Sequence, residues 1–291
     1  MLVDNPETLE KIFSSTKMLI AVHCEDEATI KANLEKYIEE YGDDIPVNKH
    51  HLIRSEEACY LSSSKAIELA QKTGARLHIF HVSTAKETEL FTNKIPLEDK
   101  KITAEVCVHH LWFTDKDYDT RGNLIKWNPA VKTQTDQDGL WKALLDDRID
   151  VIATDHAPHT FEEKQNKYTS CPSGAPMVQH ALVVMMEAYI KGKISVEKIV
   201  EKMCHNPAKL FKIENRGFIK EGYFADLVLV NPHMPWNVKK ENILYKCGWS
   251  PLEGINFKSR ISHTFVNGKL VYANGKVKDV IAGQRLTFNR E

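Results

Sequence analysis

Four short apolar runs, each followed by a segment with helical character, constrain the fold more than any other feature of this sequence. Each run is four to six residues long, which suits a buried strand and is too short for an ordinary helix. Strands that alternate with helices form a parallel sheet covered by helices. The sequence therefore predicts an α/β fold with strands at 18–23, 77–82, 102–106 and 151–154.

The pattern changes in the last quarter of the chain, where strands follow one another without long helices between them. An Asn267-Gly268 pair between two of these strands is typical of a tight hairpin turn. We therefore predict two domains, a barrel segment at 1–213 and a small β domain segment at 214–291. The strands predicted in the second domain are 226–230, 261–266 and 269–272.

Composition excludes several classes of function. Lys and Arg number 39 and Asp and Glu number 40, so a net charge of -1 provides no basic field for nucleic acid. No apolar run approaches the roughly 18 residues of a membrane span. The six cysteines form no CxxC pair and are too few for a disulfide scaffold. We expect no nucleic-acid partner, no membrane partner and a reducing, cytoplasmic location.

Polar side chains stand at the ends of three of the four predicted strands. His23 and His81 close the first two strands, and Asp155 follows the fourth. The carboxyl ends of parallel strands meet at one edge, where α/β folds carry their sites. A lone histidine after a strand is more often a core residue. Three such ends in one register instead predict a shared metal site, and zinc suits this ligand set for hydrolysis.

Five motifs occur in a fixed order along the chain: AVHCED at 21–26, HIFHVS at 78–83, EVCVHHL at 105–111, NPAVK at 128–132 and ATDHAPH at 153–159. Together they resemble signatures of the dihydroorotase family, metal-dependent cyclic amidohydrolases of pyrimidine biosynthesis. The stretch at 217–230 resembles the β domain of the wider superfamily. The resemblance implies a metal-dependent hydrolase TIM (β/α)8 barrel, here incomplete, with a small C-terminal β domain.

The resemblance also implies roles for individual residues. The family's site holds two zinc ions bridged by a carboxylated lysine. His23 and His81 correspond to ligands of one ion, and Asp155 to a ligand of the other and to the catalytic base and acid. Asn128 and His159 correspond to substrate-binding positions. The implied reaction is the reversible hydrolysis of (S)-dihydroorotate to N-carbamoyl-L-aspartate, with this small-molecule substrate as the partner and a homodimer left open.

The sequence departs from the family in three respects. It has no His-x-His-x-Arg motif, because no two of its histidines are two positions apart. The bridging lysine is missing, and Lys132 stands where many relatives have arginine. We therefore expect the C-terminal portion of a dihydroorotase, inactive on its own. Two alternatives remain, an allantoinase-like cyclic amidohydrolase and a non-catalytic dihydroorotase homologue that serves as a structural partner.

Three further features allow two interpretations each. His109 and His110 follow the third strand and either reach the site or form structural hydrogen bonds, and the structural role is the more common one. Cys24 either ligates metal or fills a small buried space. The loop at 161–176 is either a lid or a plain surface loop.

Overall fold

The computed structural model describes residue 3 and residues 5–289 of the chain. The structure forms two compact units, divided between Ala175 and Pro176. The predicted boundary after residue 213 is a different division of the chain, between the barrel segment and the β domain segment. It stays a prediction. Among the described residues, no helix combines the length and the apolar character that crossing a membrane requires.

A four-stranded parallel sheet forms the centre of the first unit. Its strands lie in the order β1-β2-β3-β4, and each neighbouring pair is parallel. All four carboxyl ends therefore open at the same edge, which confirms the α/β prediction and places His23, His81 and Asp155 after strands that end at that edge. The strands are β1 Leu19–Val22, β2 Arg76–Ile79, β3 Ile102–Cys107 and β4 Val151–Ala153.

Helices connect consecutive strands of the first unit. The longest, α4, begins after Ser55, whose hydroxyl accepts a hydrogen bond from the Ala58 N–H, and ends at Gly74 with a φ of 73°. Glycine adopts this left-handed conformation without a Cβ clash. The helices are α1 Pro6–Ser15, α2 Glu27–Tyr41, α3 His50–Ile53, α4 Glu56–Thr73, α5 Ala85–Thr88, α6 Val108–Trp112, α7 Tyr118–Arg121, α8 Gln134–Leu145 and α9 Phe161–Lys164.

Apolar side chains of neighbouring strands form a core on one face of the sheet in the first unit. Leu77 and Ile79 of β2 and Ala104 and Val106 of β3 are fully buried. Burial of each large aliphatic side chain contributes on the order of 2 kcal/mol. This core fixes the strands, and with them the residues that follow their carboxyl ends.

The second unit combines helical segments with antiparallel strands. Its main sheet has the order β10-β9-β8-β5, and β6 pairs with β7. Asn267 and Gly268 have φ values of 51° and 77°, as a tight hairpin turn requires, so that prediction is confirmed. The elements are α10 Ala181–Ile190, α11 Val196–Val200, a π-helix Glu201–His205, α12 Asn206–Leu210, β5 Leu227–Asn231, β6 Trp236–Asn237, β7 Asn256–Phe257, β8 Arg260–Val266, β9 Lys269–Ala273 and β10 Lys276–Val277.

Candidate active site

His23 and His81 converge at the carboxyl edge of the parallel sheet. His23 directly follows β1, and His81 lies two residues beyond β2. The Nδ1 atom of His23 is 3.0 Å from the Nε2 atom of His81, and the two rings meet edge to face with centroids 4.8 Å apart. The structure therefore brings together two residues that are 58 positions apart in sequence.

The imidazole pair has the spacing that a zinc ion needs. Two nitrogens bound tetrahedrally at 2.0–2.1 Å from zinc lie about 3.3 Å apart, close to the observed 3.0 Å. Burial lowers the pKa of His81 to about 3, and the neighbouring His23 and His110 act in the same direction. His81 is therefore neutral near pH 7, the form that binds metal. The residues present fit the metal that the family resemblance implies.

Asp155 lies two residues beyond the end of β4 and outside the close imidazole pair. Burial raises the pKa of its carboxyl group, and Glu105 acts in the same direction, while His23 opposes both. A carboxylate with a raised pKa is a stronger base near neutral pH. The charge of His23 thus acts on Asp155, and both residues follow strands that end at the same edge of the sheet. The assignment of Asp155 as a metal ligand stays a prediction.

The backbone is strained at two of the three predicted ligands. His81 has a φ of 37° and Asp155 a φ of 43°, in the left-handed region that residues with a Cβ rarely adopt. Each such conformation costs on the order of 1 kcal/mol and persists where the surrounding structure imposes it. β2 ends at Ile79, two residues before the left-handed His81, so the strand is shorter than the predicted strand at 77–82.

The two predicted substrate residues lie in different surroundings. The Asn128 Oδ1 atom is buried, and no residue in the described part of the chain gives it a hydrogen bond. His159 is partly exposed, and its Nε2 atom is 3.2 Å from the carbonyl oxygen of Ser173. Neither residue is shown in contact with the His23–His81 pair, and their assignment stays a prediction.

Glu25 is a site residue that the sequence analysis did not identify. Its Oε2 atom lies 3.1 Å from His23 Nε2 and 2.5 Å from an Arg54 nitrogen. Burial acts to raise the pKa of Glu25, but the hydrogen bond from His23 and the charges of Arg54 and Lys132 outweigh it and hold the pKa below its ordinary value. In the sequence, Glu25 stands directly before a predicted helix and resembles an acid at a helix start. The sequence therefore does not indicate its contact with His23.

Cys107, His109 and His110 form a second group of ligand-type side chains, with ligand atoms within 4.8 Å of one another. All three are buried, and burial raises the pKa of the Cys107 thiol. The His109 ring stacks on Trp127 with centroids 4.0 Å apart, and His110 contacts the Pro129 carbonyl. These contacts favour a packing role for the two rings, while both nitrogens of His109 are buried with no hydrogen-bond partner among the described residues.

Cys24 and Lys132 both turn into the protein. Burial raises the pKa of Cys24 to about 12, which keeps the thiol protonated and favours a space-filling role. The Lys132 ammonium is buried, donates to the carbonyl of Ala130 at 3.1 Å and lies 3.4 Å from the Ser83 hydroxyl. Lys132 therefore links the segment at Ala130 to Ser83, two residues after His81.

The loop at 161–176 is anchored by two buried lysines. Lys164 donates to the carbonyls of Pro172 and Gly174 at 2.8 and 2.9 Å. Lys126 donates to the carbonyls of Tyr168 and Cys171. These contacts tie residues 168–174 to the body of the first unit and favour a fixed loop over a mobile lid.

Comparison with known proteins relates the chain to the Amidohydrolase family and to dihydroorotases. Residues 3–271 match the Amidohydrolase family. The dihydroorotase of Endomicrobium trichonymphae is 39% identical over 213 residues, 72% of this chain and 50% of that protein. The dihydroorotase of Thermococcus kodakarensis is 32% identical over 281 residues, 96% of this chain and 61% of that protein. The chain thus spans about half to three fifths of the length of these curated relatives.

Solved structures agree with the family match. L-hydantoinase (dihydropyrimidinase) from Arthrobacter aurescens superposes with a TM-score of 0.88 at 26% identity, covering 97% of this chain and 64% of that one. A D-hydantoinase superposes with a TM-score of 0.86 at 24% identity, covering 95% of this chain and 62% of that one. The fold is a metal-dependent hydrolase TIM barrel with a C-terminal β-sheet, so the predicted fold class is confirmed.

Proposed function

Because the chain belongs to the amidohydrolase family, we propose that it carries metal-binding and proton-transfer residues of a dihydroorotase. The proposed reaction is the reversible hydrolysis of (S)-dihydroorotate to N-carbamoyl-L-aspartate, a cytoplasmic step of pyrimidine biosynthesis. The names of relatives at 32% and 39% identity support this reaction. Since those relatives are longer, the proposal concerns the activity of a complete enzyme.

The convergence of two imidazoles at one sheet edge carries the proposal. His23 and His81 hold nitrogens 3.0 Å apart where the strands open. A divalent ion such as zinc, when bound, supplies a Lewis acid that polarises an amide carbonyl and lowers the pKa of water. The number of ions, two in a complete site, is carried over from the family resemblance.

Asp155 is the proposed catalytic base and acid. Its raised pKa suits it to accept a proton from the water that attacks the ring carbonyl. The same carboxyl then delivers this proton to the ring nitrogen as the carbon–nitrogen bond breaks. In the reverse reaction the two proton transfers occur in the opposite order.

Asn128 and His159 are the proposed substrate-binding residues. The buried Asn128 Oδ1 atom can accept a hydrogen bond from a ring N–H, which would satisfy an otherwise costly buried acceptor. His159 is fixed at Nε2 by Ser173. Its other nitrogen, Nδ1, lies 3.7 Å from the Glu163 carboxylate, and a contact with the substrate carboxylate would take the place of that ion pair.

A second candidate is an amidohydrolase for a different cyclic amide. The structural neighbours named as hydantoinases favour this alternative, because they share the fold over nearly the whole chain. Allantoin and hydantoin are the rings to compare with dihydroorotate. A ring without a carboxylate has no group for His159 to bind in this way, which separates the two candidates.

The test combines this chain with the complementary portion of a dihydroorotase. We expect the 291-residue chain alone to show no measurable turnover, and a mixture with the part of the Endomicrobium trichonymphae enzyme that this chain does not match to hydrolyse dihydroorotate. Preferred turnover of hydantoin or allantoin by the mixture would support the second candidate. A mixture that assembles, binds zinc and opens none of the three rings would support a non-catalytic homologue.

A further inference from the structure

Glu25 is buried against the candidate metal centre although it stands at the start of a surface helix. Its side chain is 0% exposed, whereas the side chain of His23 is 46% exposed. The capping role at the start of α2 belongs to Asp26, which accepts hydrogen bonds from the Thr29 backbone N–H and hydroxyl. The helix therefore does not explain why a carboxylate is buried at Glu25.

One oxygen of Glu25 joins two donors. Oε2 lies 3.1 Å from His23 Nε2 and 2.5 Å from Arg54 Nη1. The other oxygen, Oε1, is buried and has no hydrogen-bond partner in the part of the chain that the structure describes. The carboxylate thus concentrates its contacts on the oxygen that faces the imidazole.

The contact with Glu25 determines which nitrogen of His23 faces His81. A carboxylate accepts hydrogen bonds, so His23 has to carry a proton on Nε2. Its Nδ1 atom then presents a lone pair, and this is the atom 3.0 Å from His81 Nε2. In the metal-free chain a proton on His81 Nε2 can occupy the gap between the two nitrogens.

We propose that Glu25, held in place by Arg54, is a positioning residue that fixes the tautomer and ring orientation of His23, so that Nδ1 is the metal-binding atom. Histidines that bind metal commonly donate their second ring N–H to a carboxylate, which orients the ring and raises its basicity. The inference rests on the metal centre of the proposed function. It assigns a role to two residues that neither touch the substrate nor bind the ion.

A structural role for the Glu25–Arg54 pair makes a different prediction. If Glu25 only neutralised Arg54, the tautomer of His23 would not change when the carboxylate charge is removed. The contact between Glu25 and His23 Nε2 would then be incidental. The protonation of the two His23 nitrogens therefore separates a positioning role from a structural one.

The first experiment measures the ring nitrogens of His23 by ¹⁵N NMR in the metal-free 291-residue chain, at about pH 8 where an ordinary histidine is neutral. We expect the wild-type chain to carry the proton on Nε2, and Glu25→Gln to show a mixture of tautomers. Glu27→Gln, an exposed position two residues along the chain, is the matched control and should match wild type. A wild-type proton on Nδ1 would overturn the proposal without any variant.

The second experiment measures zinc affinity by competition with a chromophoric chelator. Glu25→Gln should weaken zinc binding about 10- to 100-fold, Glu25→Asp should recover part of the loss, and Glu27→Gln should have no effect. Equal affinities for Glu25→Gln and Glu27→Gln would overturn the proposal. Neither experiment measures ring-opening activity. An incorrect substrate in the proposed function would therefore leave both results unchanged, and a correct substrate would not support the role of Glu25 if both experiments contradicted it.

Discussion

His23, His81 and Asp155 owe their predictability to the strands that precede them. An apolar run followed by a polar residue places that residue at the sheet edge whatever its chemistry. Glu25 could not be assigned in this way, because Glu25 and Asp26 are adjacent acids before a helix and either could cap it. Only the packing of Arg54 from another helical segment reveals which acid is buried.

Replacement of Asp155 tests proton transfer separately from metal binding by the imidazole pair. In the complemented enzyme, Asp155→Asn should lower kcat about 10²- to 10⁴-fold, because an amide cannot accept the proton of the attacking water. Zinc at the His23–His81 pair should remain, as measured by elemental analysis. Full turnover by the variant would assign the proton transfer to another residue.

Replacement of His159 tests the substrate carboxylate contact. His159→Ala should raise KM for dihydroorotate about tenfold or more and leave the zinc content unchanged, because the residue lies outside the proposed ligand set. Steady-state kinetics and elemental analysis of the same preparation provide both values. A variant that loses zinc would show that His159 belongs among the ligands.

At the scale of elements, the loop at 161–176 shows what sequence patterns miss. Lysines in a polar loop suggest solvent exposure, yet the Lys164 residue is only 1% exposed and its ammonium contacts backbone carbonyls. The carbonyls of Pro172 and Gly174 lie 8 and 10 residues along the chain from Lys164, in an irregular segment where no helix or strand period indicates a contact. Residues 165–174, which follow α9, are thus ordered by hydrogen bonds and not by a helix or strand.

Removal of the Lys164 ammonium should destabilise the first unit. Lys164→Met keeps an apolar stem but leaves the carbonyls of Pro172 and Gly174 without a donor, at about 1–3 kcal/mol per buried group. The total loss in the free energy of unfolding, measured in urea, should be about 2–4 kcal/mol. Lys167→Met is the control, since the Lys167–Asp44 pair is exposed and screened by solvent, so its loss should have little effect on stability. Equal effects of the two substitutions would contradict the anchoring role.

The two buried lysines also predict a pH dependence. Burial lowers the pKa of Lys126 and of Lys164 to about 8, although nearby Cys171 opposes this for both. Between about pH 8 and the ordinary value near 10.4, the unfolded chain binds more protons than the folded chain, so these lysines increase stability as pH rises. The double variant Lys126→Met, Lys164→Met should show a smaller increase across this window in chemical denaturation. Identical pH slopes would contradict the lowered pKa values.

At the scale of the whole molecule, periodicity predicted the parallel sheet and the main strands of the second unit. It could not distinguish a barrel from an open sheet, because four strand–helix units are common to both. The order of five motifs pointed to the barrel, and the superposition on hydantoinases confirmed it. The two-residue strands β6, β7 and β10 were missed because two residues define no period.

The most direct measurement of the central claim is the cobalt spectrum of the chain. Co²⁺ reports its ligands by optical absorption, and the two candidate groups differ in that only Cys107, His109 and His110 include sulfur. We predict that the cobalt spectrum has no sulfur-to-cobalt charge-transfer band. The cobalt absorption should disappear in His81→Ala and stay unchanged in Cys107→Ser. A charge-transfer band that disappears in Cys107→Ser and survives in His81→Ala would place the metal at the buried cluster and contradict the account.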